Sequence, residues 1–276
     1  MATFFRAMVR LPAIIKYIFK FGRVPLLPDQ PELQDVRHPQ YDRYRSRQDI
    51  APVPTKKVTR TFPAFFTHLE KVGFTPGICI DVGAAEGTFP ILTAFPSAKH
   101  ICFEPLADFE ERLRNNLAPY DHEVHMCALM DVEEQEEVNI VRQGDLYGSS
   151  LMHTLTDDNE KTQRVRVSTL DKELAHLDLS GPVLLKTDCQ GADLLVLKGG
   201  LNTLHQCDVV IVEASLFRFW GEHQPDFYDI VHFMRQQGFV VYDLLDGLLR
   251  PADEALGQID IVFAKEKGVL RRIKHW

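Results

Sequence analysis

The stretch "ICIDVGAAEG", Ile78 to Gly87, governs how the rest of the chain is read. An apolar run reaches Asp81, Gly83 follows two residues later, and Gly87 comes four after that. A short apolar run closed by glycine predicts a buried strand that turns into a helix. In open α/β sheets, ligands bind at the carboxyl ends of the strands, where such a turn lies. The glycines serve either that binding, by letting a ligand approach the backbone, or the geometry of the turn alone.

Working outward, "KHICFEP" (Lys99 to Pro105) reads as the next strand, and "GTFPILTAFPSA" between the two as a short helix starting at the glycine. Phe62, Phe65, Phe66 and Leu69 have helical spacing, as do Phe109, Leu113 and Leu117 in a helix over 107–118. "HEVHMCAL" and "EEVNIVRQ" read as strands, and "RVRVSTLDKEL" as a strand leading into a helix. "PVLLKTD" (Pro182 to Asp188) predicts a buried strand, followed by one helix that carries Leu194, Leu195, Leu197, Leu201 and Leu204. "DVVIVEA", a helix with Phe227, Ile230, Val231 and Met234, and the strands "FVVYDLL" and "QIDIVFAK" complete the pattern. Strands alternating with helices imply an α/β fold with a mostly parallel sheet covered on both faces. The last two strands have no helix between them, which suits an antiparallel hairpin at one edge.

Glu104 ends the second strand, 21 residues beyond Gly83, near the spacing of an acid that bonds ribose hydroxyls. That spacing points to a nucleoside cofactor. Gly83-Ala84-Ala85-Glu86-Gly87 does not match the dinucleotide fingerprint, and Asp81 and Glu86 sit where a pyrophosphate would rest. S-adenosylmethionine, with an ammonium and a sulfonium and no phosphate, suits two acids better than a nicotinamide dinucleotide does.

"DVGAAEGTF", "CFEP", "GSSL", "VSTLD", "LLKTDCQGADLLVLKGG" and "VIVEAS" occur in this order. Together they resemble the FkbM family of S-adenosylmethionine-dependent methyltransferases, over about residues 75–265. The resemblance implies a Rossmann-like class I methyltransferase fold: a mostly parallel seven-stranded sheet with an antiparallel edge strand. It also implies S-adenosylmethionine as cofactor and, as acceptor, a hydroxyl of a sugar, glycan, glycolipid or secondary metabolite. Two positions depart from the family pattern. Ala85 stands where Asn or Gly is usual, and Asp193 where Glu is usual.

By the same resemblance, Asp81, Gly83, Ala84 and Gly87 line the methionine end of the cofactor, Glu104 takes the ribose, and Cys127 to Leu129, hence Ala128 and Leu129, pass near the adenine. Side chains alternate along a strand, so Lys186 and Asp188 share one face at the carboxyl end of the fourth strand. Asp188 is the candidate to take the acceptor's proton or orient its hydroxyl, and Lys186 to hold Asp188 ionised or stabilise the developing alkoxide. A purely structural ion pair is the competing reading. Ser149, Ser150, Gln190 and Glu213 are candidates for the acceptor side, and the loop residues His153 and His223 are lesser candidates for the base.

The chain has 276 residues, 45% of them hydrophobic, and a net charge of −8. Residues 1–60 carry 12 Lys/Arg against 5 Asp/Glu, so the remainder is strongly acidic, which argues against a nucleic-acid partner. The boundaries read as a basic segment and Pro-rich connector over 1–60, a methyltransferase domain over 61–268 and a basic tail over 269–276. Within residues 4–23 an apolar stripe faces a basic one, a pattern that suits peripheral contact with an anionic membrane, or a helix docked on the domain or a partner subunit. The five cysteines lack zinc spacing, no HExxH occurs, and no metal is expected. Their odd number fits a reducing compartment, the cytoplasm, with the basic stripe at the inner membrane surface. Two alternatives remain open: a methyltransferase-fold module that binds without turnover, and a nicotinamide-dependent dehydrogenase.

Overall fold

The computed structural model describes residues 59–132, 138–141, 149–150 and 162–273. The amphipathic stretch at 4–23, the connector up to residue 58, and His153 lie outside the described residues. The chain divides into two compact units, one of 59–249 with 256–276, the other of 1–58 with Arg250–Ala255. In the latter, Arg250–Ala255 closes a turn, the Arg250 N–H donating to the Ala255 carbonyl (2.8 Å).

The larger unit is built from α1 (Phe62–Lys71), β1 (Ile78–Val82), α2 (Phe89–Ala94), β2 (Lys99–Phe103), α3 (Ala107–Leu117), β3 (His122–His125), β4 (Ala128–Leu129), β5 (Val138–Val141), β6 (Thr162–Val165) and β7 (Val167–Ser168). It continues through α4 (Leu170–Leu174), β8 (Val183–Thr187), α5 (Asp193–Lys198), α6 (Leu201–Gln206), β9 (Val209–Ser215), α7 (Phe227–Gln236), β10 (Phe239–Leu249) and β11 (Leu256–Lys265). Seven strands form one sheet in the order β10-β11-β9-β8-β1-β2-β3. β1, β2, β3, β8 and β9 run parallel, and β11 runs antiparallel to both β9 and β10. The expected hairpin is thus the edge of the sheet, with its antiparallel member on the inner side. This is the Rossmann-like class I methyltransferase arrangement.

All five residues of β8 are buried, as a central strand covered on both faces requires. One face packs on Phe65, Phe66 and Leu69 of α1 and Ile91 of α2. The other packs on Leu170 and Leu174 of α4, Leu197, Leu204, Ile230 and Met234. Each such buried side chain contributes about 2 kcal/mol of transfer free energy.

Three expectations differ from the structure. The strand part of "RVRVSTLDKEL" is two strands, β6 and β7, in separate two-stranded sheets. The leucine-rich helix is two helices, α5 and α6, parted at Gly199–Gly200. A Cβ on Gly199 would lie 2.0 Å from the Met130 carbonyl oxygen, and one on Gly200 would lie 2.7 Å from Leu170 Cδ2. The chain breaks there because two other segments press on its backbone. "HEVHMCAL" is likewise two strands. The Cys127 N–H turns back to the His125 carbonyl (3.0 Å), so β4 leaves the main sheet and pairs with β7.

Candidate active site

On the face covered by α1 and α2, strand side chains change character as they approach the carboxyl ends. Cys79, Leu184, Ile211 and Val262 are buried in one apolar cluster. Two residues further on in the parallel strands stand Asp81, Lys186 and Glu213, and two earlier in antiparallel β11 stands Asp260. A period of two keeps them on that same face. Asp81 is the register partner of Lys186, and Glu213 of Asp260. Thr187 pairs with Val212, so Asp188 and Glu213 follow side by side.

Lys186 is buried among these acids, its Nζ 3.1 Å from Asp188 Oδ2 and 3.7 Å from Asp81 Oδ1. Burial by itself would lower the ammonium pKa, but Asp188, Asp81 and Asp260 outweigh it and raise the pKa above its ordinary value. Lys186 therefore keeps its proton and is a fixed cation. Burial and Asp188 push the Glu213 carboxyl well above the carboxylate range. Burial lifts Asp260 to about 7 against the opposing Lys186, and burial with Asp188 lifts Asp193 to about 6. Asp193 also accepts the Cys189 N–H (3.1 Å), so the shorter acid closes its own turn at the start of α5.

Beside this row is a cavity of about 280 Å³, lined by residues from 82 to 192. Its polar lining includes Glu104, Asp188, Gln190, Ser149 and Lys186, and its apolar lining Leu106, Phe109, Ala128 and Leu129. Glu104 Oε2 accepts the Ala85 N–H and Oε1 the Leu106 N–H, each at 2.8 Å, which aims the carboxylate and leaves further lone pairs. Burial raises its pKa to about 7 although those two N–H groups pull it down.

Gly83 and Ala84 of the glycine turn line the cavity, but Asp81 and Gly87 do not. Asp81 lies underneath, accepting the Thr88 N–H through Oδ2 (3.2 Å) and facing Lys186. A Cβ on Gly87 would point towards Leu92 and Leu113, inside the packing of α2 and α3. The glycine at 83 answers chiefly to the protein: a Cβ there would lie 2.0 Å from the Asp188 carbonyl oxygen, and φ is +76°. Ala85 adopts φ 48°, a left-handed conformation that explains why Asn or Gly suits the position. Glu86 pairs with Arg112, so only Asp81 of the two turn acids bears on the site.

On the acceptor side, Ser150 and Glu213 do not line the cavity. The Ser150 hydroxyl donates to the Gln190 carbonyl (2.7 Å), tying its loop to the turn after β8. Gln190 Nε2 donates to Asp188 Oδ1 and to Glu213 Oε2, both at 3.3 Å. Sequence reasoning missed Thr88, Leu106 and Phe109 as lining residues. The last was legible only as the apolar face of a helix.

The lining suits S-adenosylmethionine. Glu104 offers acceptors for ribose hydroxyls and the apolar lining offers a wall for the base. Among the described residues, Lys186 is the one Lys or Arg in the lining, and it is already matched by two carboxylates. Among the described residues no cluster of His, Cys, Asp and Glu is arranged to hold a metal ion, and no helix is long and apolar enough to cross a membrane.

The chain is similar to the AMB antimetabolite synthetase AmbE of Pseudomonas aeruginosa, 30% identical over 159 residues, covering 44% of this chain and 8% of that protein. It thus spans less than a tenth of that relative's length. Among solved structures it is similar to the magnesium protoporphyrin IX methyltransferase of Synechocystis with bound S-adenosylmethionine. That match has 12% identity and a TM-score of 0.41, covering 82% of this chain and 91% of the other. A second match is a structure described as a putative rRNA-methylase from Clostridium thermocellum, with 7% identity and a TM-score of 0.44, covering 76% and 99%. The methyltransferase FkbM domain matches residues 81–241, more than half of the chain, and the protein belongs to that methyltransferase family.

Proposed function

We propose that the protein transfers the methyl group of S-adenosylmethionine to a hydroxyl of a small molecule, a sugar or a glycan. The observation that carries this reading is that Glu104, following β2, and Asp188, following β8, line one cavity together with Leu106, Phe109, Ala128 and Leu129. When bound, the cofactor would supply an electrophilic methyl carbon. Glu104 would accept hydrogen bonds from the ribose, and Leu106, Phe109, Ala128 and Leu129 would enclose the base. Asp188 would orient the acceptor hydroxyl and take its proton. Lys186, which keeps its proton, holds the Asp188 and Asp81 charges in place rather than acting as a base. The basic amphipathic stretch at 4–23 supports a peripheral membrane contact and a lipid-linked acceptor.

Calorimetry with S-adenosylhomocysteine and NAD, run beside tritium transfer from labelled S-adenosylmethionine into a glycan extract, tests the reading. Binding of S-adenosylhomocysteine with label in the extract is the expected result. Binding without transfer over a broad acceptor panel would make the protein a binding module, and stabilisation by NAD alone would overturn the cofactor assignment.

A further inference from the structure

The turn between β8 and α5 holds Gln190 in a left-handed conformation, φ 49°, with Gly191 following at φ 94°. A non-glycine residue in that region costs about 1–2 kcal/mol and persists where its surroundings fix it. Here they do so from both sides. A Cβ on Gly191 would lie 2.8 Å from Trp220 Cδ1 and 3.1 Å from Gln224 Cγ, so the loop after β9 presses directly on the turn. Gln224 is itself buried and accepts the Trp220 N–H at 2.8 Å. The Ser150 hydroxyl fastens the Gln190 carbonyl.

The side chain of Gln190 stands between Asp188 and the Glu213 carboxyl. Its amide nitrogen faces both, one N–H to Asp188 Oδ1 and one to Glu213 Oε2. Asp188 Oδ2 is held by Lys186, and Oδ1 by Gln190. Together the two bonds, one to each oxygen, fix the plane of the carboxylate, which a bond to one oxygen alone does not. Glu213, outside the cavity, takes the second N–H and keeps the amide from turning.

We propose that Gln190, anchored by Glu213, is a positioning residue that sets the plane of the Asp188 carboxylate for the methyl acceptor. This rests on the reading of Asp188 given above. A misplacement of the reacting group by about 1 Å costs on the order of 100-fold in rate. Gln190→Leu is apolar and removes both donors.

Two measurements on the full chain test the clamp. In the nitrogen–proton spectrum of the protein labelled at glutamine side chains, the Gln190 pair is identified by its loss in Gln190→Leu. Asp188→Asn and Glu213→Gln should then each move one of its two protons. A pair untouched by either substitution would overturn the clamp.

The second measurement is turnover on the labelled acceptor pool. Gln190→Leu should lower kcat by about 10- to 100-fold with cofactor affinity and thermal midpoint unchanged. Adding Gln190→Leu to Asp188→Asn should cause no further loss, because the two act as one unit. Additive losses, or a Gln190→Leu enzyme with full kcat, would overturn the positioning role while leaving Asp188 in place. Full turnover in Asp188→Asn would overturn the role of Asp188 and the positioning role together.

Discussion

Two parts of the site, at the strand ends of β1–β2 and of β8–β9, are shaped by different means. At the β1–β2 end the backbone decides: Gly83 and Ala84 both donate N–H bonds to the Phe103 carbonyl (3.0 Å each), and Gly83 lies against the Asp188 carbonyl. The carboxylate there, Glu104, is aimed by two main-chain N–H groups. At the β8–β9 end side chains decide: Lys186, Asp188, Gln190 and Glu213 hold one another through charge and amide contacts. The first is fixed by main-chain contacts, the second by side chains alone.

Substitutions can break that contrast. The largest effect is expected at Gly83→Ala, where the added Cβ meets backbone at 2.0 Å and φ is positive. Urea unfolding should show a loss of roughly 3–5 kcal/mol, with cofactor binding abolished. A loss within the range of an ordinary surface substitution would show that the backbone does not fix this end. Next is Asp188→Asn. Turnover should fall about 100-fold or more while S-adenosylhomocysteine affinity, read by calorimetry, stays the same. Equal loss of both would make the side-chain end part of the cofactor site and erase the distinction.

Glu104→Gln should weaken cofactor binding by about tenfold, since a charged acceptor is lost. It also carries a pH signature. The wild-type carboxyl titrates at about 7 in the ligand-free protein, so affinity should strengthen as pH rises through that value, and the variant should show a flatter profile. Stability runs the other way. The carboxyls of Glu104, Asp260 and Asp193 are raised above their unfolded values, so their contribution is full below the ordinary carboxylate range. It is lost as pH rises through about 6 to 7. Thermal midpoints of the ligand-free protein across that range check this, and a midpoint that climbs would contradict it.

The smallest effect sharpens the contrast instead of breaking it. Ala85→Gly relieves a left-handed alanine at φ 48°, offset in part by the entropy of glycine in the unfolded chain. A gain of about 0.5 kcal/mol in unfolding free energy is expected, with the Glu104 contact kept because it uses the main-chain N–H.

Much of this was legible in the residues. The alternation of strands and helices gave the sheet and its edge hairpin, the spacing from Gly83 to Glu104 brought those two residues to one cavity, and the "LLKTDCQGAD" block marked Lys186 and Asp188. The partners of the turn were not legible. Glu86 lies beside Arg112, and a Cβ on Gly87 would lie at ordinary contact distance from Leu92 and Leu113.

Fold class, family and the charged strand ends are readable in the residues, because periodicity and short motifs are local properties of a chain. Why Gly83 must be glycine, what Gln190 holds and which acids face the cavity emerge only from packing. Each of those depends on a contact with another element of the sheet or its loops, and a linear pattern does not encode which atoms meet when strands pack.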